Sequence, residues 1–221
     1  MGKAKLISAT LPQGIPEAET LEDLIVYCAR VSNPNNQNKL STKGKLLRFL
    51  IREKHWSPFE MASLCIEIKT TRDIARQILR HRSFSFQEFS QRYAETHPSM
   101  QFRECRLQDV KNRQNSIPTD WAENRDLIDW FSEAQNHIQE YSFNLYEEAL
   151  SKGIAKEQAR IFLPEGLTST TLYMSGTLRS WIHYLELRLN EATQKEHREV
   201  AKACFEEVEK VFPLIGEIIN G

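Results

Sequence analysis

Residues 71–93 read TRDIARQILRHRSFSFQEFSQRY and carry five arginines against two acidic residues. Three of these arginines, Arg72, Arg76 and Arg80, recur at every fourth position, so in a helix they would stack along one face. Such a face could hold an anion. A solvated basic helix is the alternative interpretation of the same charges, and charge alone does not separate the two.

This basic helix is expected to end at Arg80. Consecutive helical residues point about 100° apart, so Arg80, His81 and Arg82 cannot serve one helical surface. Hydroxyl, carboxylate and guanidinium side chains follow at Ser85, Glu88, Ser90 and Arg92. Such a mixture suits a ligand that carries both a phosphate and a polar ring.

A strand is predicted immediately before the basic helix. Ala62, Leu64, Ile66 and Ile68 alternate with more polar residues, which is the period of two of a half-buried strand. No glycine or proline interrupts residues 59–97. We therefore expect the strand to lead directly into the helix.

Spacings of three and four between apolar residues predict helices over most of the remaining chain. We expect them at about residues 21–29, 46–55, 121–151, 154–163, 177–189 and 194–212, with strands around residues 6–7 and 168–174 and loops at 32–42 and 97–120. The helix at 121–151 has one apolar seam, which is typical of a core helix. We expect an α+β fold, a mixed sheet with several long helices, in a single domain over residues 1–221.

The overall charge is close to neutral, with 29 lysines and arginines against 30 aspartates and glutamates. This balance argues against a nucleic-acid coat or a polybasic membrane surface. The four cysteines lie far apart without C-x-x-C spacing, and no signal peptide is evident, which fits a reducing compartment. No apolar run approaches the roughly 20 residues of a membrane span, so we expect a soluble, cytoplasmic protein that binds neither nucleic acid nor membrane.

The motifs of several enzyme classes are missing from the sequence. No two glycines are spaced G-x-G, so neither the dinucleotide fingerprint nor a P-loop is present, and any nucleotide must be held by side chains. The zinc motif H-E-x-x-H and the nucleophile elbow G-x-S-x-G are also missing. We expect no metal site and no catalytic triad.

The motif RHRSFSFQEFSQRY at residues 80–93 resembles the signature of the flavin-dependent thymidylate synthases, R-H-R-x-x-S-x-N/Q-E-x-S-x-R-Y, at every fixed position. The similarity extends from CARVS at residues 28–32 to GTLRSWIHYLELR at residues 176–188. The resemblance implies a homotetramer around FAD whose active sites are shared between subunits. It also implies reductive methylation of dUMP to dTMP in de novo thymidylate synthesis, with 5,10-methylenetetrahydrofolate as carbon donor and NADPH as reductant of the flavin.

The same resemblance implies roles for individual residues. The implied dUMP contacts are Gln77, Ile78, Leu79, Arg80, Glu88, Phe89, Ser90, Gln91, Arg92, Arg160 and Arg188. The implied FAD contacts are His55, Ser57, Glu60, Arg80, His81, Arg82, Glu88, Thr177, Leu178, Arg179 and His183. The chain departs from commoner family patterns at Met61, Thr177 and Ala192.

The residue types present are compatible with this chemistry. Carbon 5 of uracil is a poor nucleophile unless electron density is pushed into the ring, and a reduced flavin can supply a hydride where a thiolate would otherwise add. Arg188 would be the catalytic residue, a fixed cation that stabilises an N3-ionised uracil. A nucleotide- or RNA-binding module that uses the same arginines without catalysis stays open as an alternative.

Overall fold

The computed structural model describes residues 2–95 and 101–220, and its strands form two sheets. The strands are β1 Lys3–Ala9, β2 Ser63–Thr71, β3 Ser85–Glu88, β4 Arg106–Gln108, β5 Ser116–Pro118 and β6 Ser169–Thr177. The larger sheet has the order β1-β2-β6-β3, and each of its pairs is antiparallel. The α+β class is confirmed. We expected a mixed sheet, but the described strands pair only in the antiparallel sense. The sequence could not predict this, because an alternating pattern specifies a strand and not the direction of its partner.

Eight α-helices lie in the described part of the chain. They are α1 Leu21–Ala29, α2 Lys43–Arg52, α3 Arg72–Ile78, α4 Trp121–Ser151, α5 Lys156–Ala159, α6 Leu178–Arg188, α7 Lys195–Glu209 and α8 Ile215–Asn220. The basic helix is confirmed as α3, and it follows β2 without a loop. The helix expected at 194–212 ends at Glu209, and the separate α8 follows a turn at Pro213, a residue that cannot continue a helix.

Strands also form in two regions where none was predicted. β3 lies within the signature motif and pairs with β6. The segment 97–120 was expected to be a loop, which is wrong for its described part, because β4 and β5 form an antiparallel pair. These strands are three or four residues long, too short for a period of two to be visible in the sequence. Residues 97–100 lie outside the described residues.

The main core lies between the larger sheet and helices α1, α3, α6 and α7. Trp181 of α6 is fully buried, and its indole N–H donates to the carbonyl oxygen of Leu64 at 3.3 Å. The ring of Phe84 packs against Trp181 with centroids 5.0 Å apart. Phe84 also lies over Gly176, where an added Cβ would come within 2.4 Å of the ring. This close packing fixes the turn that carries residues 80–82.

The long helix α4 has the predicted bounds, but its interpretation as a core helix is wrong for most of its length. Only Gln135, Tyr146 and Ala149 are buried on it. The apolar seam instead leaves Leu127 38% exposed, Ile138 50% and Tyr141 68%. Periodicity identified the apolar face but not what covers it, and within the described chain most of that face has no cover.

Two further expectations concern cysteines and membranes. All four cysteines are free thiols, as their spacing indicated. None of the described helices has both the length and the hydropathy needed to cross a membrane. The expectation of one domain over residues 1–221 stays a prediction.

Candidate active site

A cleft of about 420 Å³ opens beside the N-terminal half of α3. We call it the arginine cleft, and it is lined by Arg72, Arg76, Gln91, Glu157, Gln158, Arg160, Ile161, Leu163 and Glu165. Helix α3 supplies two of its arginines, the signature motif supplies Gln91, and the 157–165 segment supplies the opposite wall.

The two arginines from α3 do not present a free anion-binding face. Arg72 is buried, with its Nε 3.2 Å from Oε1 of Glu165 and its Nη1 3.6 Å from Oε1 of Glu88. Arg76 lies 3.4 Å from the other oxygen of Glu165. Arg80 lies beyond the end of α3. The expected stack of three cations is therefore wrong, because Glu165 draws the first two together and the helix stops before the third.

Glu88 lies at the inner end of this charge cluster. The pairing of β3 with β6 places Glu88 opposite Leu172, and Thr170 donates its hydroxyl hydrogen to Oε1 of Glu88 at 3.0 Å. The next residue, Phe89, donates its backbone N–H to the carbonyl oxygen of Thr171 at 2.9 Å. Strand pairing thus holds the start of the E-F-S-Q-R segment against the sheet.

Gln91 is the residue of the cleft whose polar group is left without a partner. Its side chain is only 4% exposed, yet its amide nitrogen makes no hydrogen bond to any described residue. A buried donor without an acceptor costs about 1–3 kcal/mol. A ligand oxygen placed in the arginine cleft would remove that cost.

Arg92 and Arg160 meet at Glu157 near the mouth of the cleft. Nε of Arg92 lies 3.4 Å from a carboxylate oxygen of Glu157, and its guanidinium lies 5.5 Å from the centre of the Tyr93 ring. Arg160 donates from Nε to the backbone carbonyl of Glu157 at 3.1 Å. Both side chains are at least partly exposed, so both can reorient towards an anion. Ser90 lies beside them, and its hydroxyl oxygen accepts from the backbone N–H of Arg92 at 3.4 Å.

A second group of residues, three of which are predicted contacts, lies on another face of α3. We call it the histidine network: Gln77, His81, Tyr184, Arg188 and His197. Arg188 donates from Nε to Nε2 of His81 at 2.9 Å. The His81 ring packs edge-on against Tyr184, with centroids 4.9 Å apart. His197 is fully buried and contacts Tyr184 through Nε2 and Gln77 through Nδ1, each at 3.2 Å.

Both histidines of this network are neutral near neutral pH. Burial, followed by the charges of Arg188 and Arg80, lowers the pKa of His81 to about 4. Burial, followed by Arg188 and His81, lowers the pKa of His197 to about 3. A neutral His81 can accept a hydrogen bond from Arg188, which leaves the two Nη atoms of Arg188 directed elsewhere.

Most of the residues predicted to contact flavin lie in the 55–60 turn, in the first half of α6 and in the turn after α3, whereas Glu88 lies on β3. Arg179 forms an ion pair with Glu60, and the ring of His183 packs against Trp56 with centroids 5.0 Å apart. His55 packs edge-on against Phe49, and Ser57 is exposed at the start of a 3-10 turn. The surface of these elements combines cations with aromatic rings. Cations bind a diphosphate, and aromatic rings pack against a flat heterocycle.

Arg80 and Arg82 complete the cationic part of this surface. Both are exposed, and neither side chain has a hydrogen-bond or ion-pair partner among residues 2–95 and 101–220. Thr177 caps α6 through its hydroxyl, which accepts from the backbone N–H of Ser180 at 3.3 Å. Of the two other departures from the family pattern, Met61 is exposed, and Ala192 lies in the turn after α6.

Three predicted contacts have side chains that are buried in the main core or lie at its edge. Ile78 and Leu178 are fully buried, and each packs within the main core. Leu79 is the partly buried residue that closes α3. The dUMP set as a whole divides between two places, because the residues that line the arginine cleft include no member of the histidine network.

Several residues of these clusters were missed by the sequence analysis. Glu157 and Glu165 hold the cleft arginines. His197 belongs to the histidine network, and Gln194 extends it through Gln77. No motif marks them, since their partners are distant in sequence. Metal ligation has no support in the described residues, which hold no cluster of three candidate ligands.

Comparison with known proteins places these features in a family. Residues 15–214 match the family model described as thymidylate synthase complementing protein. The flavin-dependent thymidylate synthase of Synechocystis sp. is 54% identical over 218 residues, which are 98% of each chain. The probable flavin-dependent thymidylate synthase of Paramecium bursaria Chlorella virus 1 is 50% identical over 217 residues, again 98% of each chain.

A solved structure shares the fold. The UMP/dUMP methylase PolB from Streptomyces cacaoi, in a crystal with 5-Br dUMP, superimposes with a TM-score of 0.82. The superposition covers 100% of this chain and 95% of PolB at 24% sequence identity. At that identity the likeness concerns the fold.

Proposed function

This chain belongs to the thymidylate synthase complementing protein family, the flavin-dependent thymidylate synthases, and we propose that it converts dUMP to dTMP by reductive methylation. The carbon donor is 5,10-methylenetetrahydrofolate, and NADPH reduces the flavin. The observation that carries the proposal is 54% identity over 98% of both this chain and a flavin-dependent thymidylate synthase.

The arginine cleft supports binding of the nucleotide. Arg92 and Arg160 are exposed enough to exchange Glu157 for a phosphate, and guanidinium groups bind phosphate through paired hydrogen bonds. The buried amide nitrogen of Gln91 lacks an acceptor among the described residues, and a nucleotide oxygen supplies one. Ser90 and Glu88 bind beside them, with Ser90 as a binding residue and not as a nucleophile.

The histidine network supports charge stabilisation on the pyrimidine ring. His81 holds Arg188 at Nε, which fixes the guanidinium and leaves its two Nη atoms to bind the ligand. Arginine stays protonated at neutral pH, so it acts as a cation and not as a base. Negative charge on an N3-ionised uracil would therefore be stabilised by Arg188, with Gln77 and Arg80 orienting the nucleotide.

No thiolate is required by this proposal, and the cysteines are poorly suited to supply one. Cys204 is fully buried, and burial raises its pKa far above the ordinary value. Burial also raises the pKa of Cys28 and Cys65. Each of these thiols is therefore protonated at neutral pH, and a protonated thiol is a weak nucleophile.

The exposed cationic and aromatic surface fits FAD. Arg80, Arg82 and Arg179 would hold its diphosphate, and His183 and His55 would pack beside its ring systems. The remaining binding residues are Ser57, Glu60, His81, Glu88, Thr177 and Leu178. When bound, FAD supplies the hydride that the methylation consumes.

We also propose a homotetramer with shared active sites, located in the cytoplasm without nucleic-acid or membrane partners. The divided dUMP set supports shared sites, because one chain holds the arginine cleft and the histidine network in separate places. The exposed apolar face of α4 supports self-association, since exposed apolar patches mark interaction surfaces.

Omission of single components tests the function. The purified protein should show flavin absorption that denaturation releases, and it should form dTMP only when FAD, NADPH, 5,10-methylenetetrahydrofolate and dUMP are all present. Light scattering should give the mass of four chains. A protein that binds dUMP but takes up no flavin and forms no dTMP is a nucleotide-binding module, and the proposed activity would then be wrong.

A further inference from the structure

A continuous chain of hydrogen bonds links the surface to the histidine network. Gln194 donates from Nε2 to Oε2 of Glu196 at 2.9 Å, and Gln77 donates from Nε2 to Oε1 of Gln194 at 2.7 Å. The chain continues from Oε1 of Gln77 to Nδ1 of His197 and from Nε2 of His197 to the hydroxyl of Tyr184, each at 3.2 Å. The proposed function gives no individual role to Gln194, Glu196 or His197.

Glu196 sets the direction of every bond in this chain. Burial alone would raise its pKa, but hydrogen bonds from Arg106 and Gln194 and the charge of Arg103 lower the pKa to about 2. The nearest atoms of Arg106 and Arg103 lie 2.6 and 3.1 Å from its two oxygens. An ionised carboxylate only accepts hydrogen bonds, so the Gln194 amide must present its nitrogen to Glu196.

The remaining orientations follow from that one. Gln194 turns its oxygen to Gln77, so Gln77 must donate through its nitrogen and turn its own oxygen to His197. His197 must then carry its hydrogen on Nδ1, which leaves Nε2 to accept from the hydroxyl of Tyr184. Each assignment is forced by the previous one, and the opposite direction would place two donors or two acceptors in contact.

We propose that Glu196, Gln194 and His197 are positioning residues that hold Gln77 as a hydrogen-bond donor towards the substrate. The side-chain oxygen of Gln77 accepts from His197, and one hydrogen of its amide nitrogen is donated to Gln194. The second hydrogen on that nitrogen is left for a ligand. Gln77 is partly exposed, so this hydrogen can reach a ligand. An acceptor oxygen of dUMP, from a carbonyl, hydroxyl or phosphate group, receives it. This inference rests on the proposed function, which places dUMP at Gln77.

The tautomer of His197 tests the direction without any substrate. In solid-state ¹⁵N spectra of the full-length protein with ¹⁵N-labelled histidine, the His197 signals should show a protonated Nδ1 and a bare Nε2. The His197→Asn variant identifies those signals by their loss. Protonation at Nε2 with a bare Nδ1 would overturn the proposal.

Binding of dUMP tests the positioning role. Calorimetric titration of the FAD-loaded protein should show roughly fivefold to tenfold weaker dUMP binding in His197→Leu, the loss expected for one hydrogen bond. In His197→Asn the side-chain amide nitrogen replaces Nδ1 as donor to Gln77, so binding should return to within about threefold of wild type. If His197→Asn binds dUMP weakly while His197→Leu binds it as tightly as wild type does, the proposal is wrong.

Two further variants separate positioning from loss of structure. His137→Gln is the matched control, a histidine substitution at an exposed position on α4 outside the hydrogen-bond chain, so dUMP affinity should stay within about twofold of wild type. Gln194 is exposed, and Gln194→Met should fold normally and weaken dUMP binding a few-fold. If Gln194→Met and a folded His197→Leu both bind dUMP as wild type does, the positioning role is wrong. If wild type itself binds no dUMP, the proposed function fails instead.

Discussion

The arginine cleft and the histidine network flank the same short helix, α3, but they hold their polar groups in different ways. At the cleft, Arg76 and Arg92 form ion pairs with Glu165 and Glu157 at 3.4 Å, with much of each pair in solvent, and Arg160 donates to the backbone carbonyl of Glu157 at 3.1 Å. Carboxylates at the surface can be exchanged for a phosphate at little cost. The cleft is therefore suited to capture an anion and release it.

In the histidine network the cation Arg188 is held by a neutral histidine, and Tyr184 and His197 are fully buried. His197 has both ring nitrogens engaged, and His81 fixes Arg188 through a single nitrogen. Reorientation of one member would leave a buried group unsatisfied, which costs more than breaking a surface ion pair. The comparison indicates that binding strength resides in the cleft and geometric control in the network.

The largest expected effect comes from breaking the network at Arg188. Arg188→Ala should lower turnover by roughly 10²-fold or more, by analogy with removal of one oxyanion-hole donor. Reduction of the bound flavin by NADPH should persist, because the lesion lies at the pyrimidine. Stopped-flow spectra and dTMP assays on one preparation measure both rates.

A cysteine-free chain is the control for that experiment. The variant Cys28→Ser, Cys65→Ser, Cys105→Ser and Cys204→Ala should still form dTMP once folding is established by circular dichroism. If the folded cysteine-free protein is inactive while Arg188→Ala turns over normally, a thiolate activates the ring and Arg188 does not.

The network should also make stability depend on pH. The pKa of His197 is lowered to about 3 and that of His81 to about 4, against about 6.5 for an ordinary histidine. Between pH 6.5 and 4 the unfolded chain takes up protons that the folded chain refuses, so the free energy of unfolding falls as pH falls. For His197 the slope approaches about 1.4 kcal/mol per pH unit, and for the less buried His81 it is smaller.

Urea unfolding at pH 8, 7, 6 and 5 measures this slope. The variant His197→Asn removes one of the titrating groups and should flatten the curve below pH 6.5. His137→Gln, at an exposed position on α4, serves as the control and should keep the wild-type curve. Equal slopes in all three proteins would show that the buried histidine does not resist protonation.

The sequence predicted the two regions unequally. The pattern of apolar residues and the arginine spacing predicted the helix α3, because both are local features of the chain, whereas the roles of Gln91, Arg92 and Arg160 rest on the resemblance and stay predictions. The network depends on His197 and Gln194, which meet α3 only after about 120 residues of chain have folded back. Nothing in their local pattern distinguishes them from an amphipathic helix start.

The same limit applies to α4. Its seam of apolar residues predicted the helix bounds correctly but not the exposure of Leu127, Ile138 and Tyr141. A periodic pattern reports that a face is apolar, whereas its partner is decided by tertiary and quaternary packing. Short strands such as β3 were missed for the related reason that register with β6, not local propensity, forms them.

A smaller effect is expected from the cleft. Arg92→Lys keeps the charge but loses paired hydrogen bonding, so dUMP binding should weaken by about tenfold. FAD content should be nearly unchanged, because Arg92 lies on the cleft side of α3. Titration calorimetry and the flavin absorbance of the purified variant measure the two quantities. Unchanged dUMP affinity would remove Arg92 from the phosphate site.

The smallest expected effect is a gain of affinity. Glu157 competes with phosphate for Arg92, so Glu157→Gln should strengthen dUMP binding by about twofold to threefold, the range of an exposed ion pair. The gain should shrink at high salt, where surface charges are screened. Weaker binding in Glu157→Gln would mean that this carboxylate positions the arginines and does not compete with the ligand.

The proposed function requires that the hydride consumed in methylation come from flavin bound to this chain. The direct measurement is an anaerobic single turnover, in which protein with fully reduced FAD is mixed with dUMP and 5,10-methylenetetrahydrofolate in the absence of NADPH. We predict that flavin oxidation and dTMP formation reach equal amounts, and that neither occurs without dUMP. Formation of dTMP while the flavin stays reduced would contradict the account.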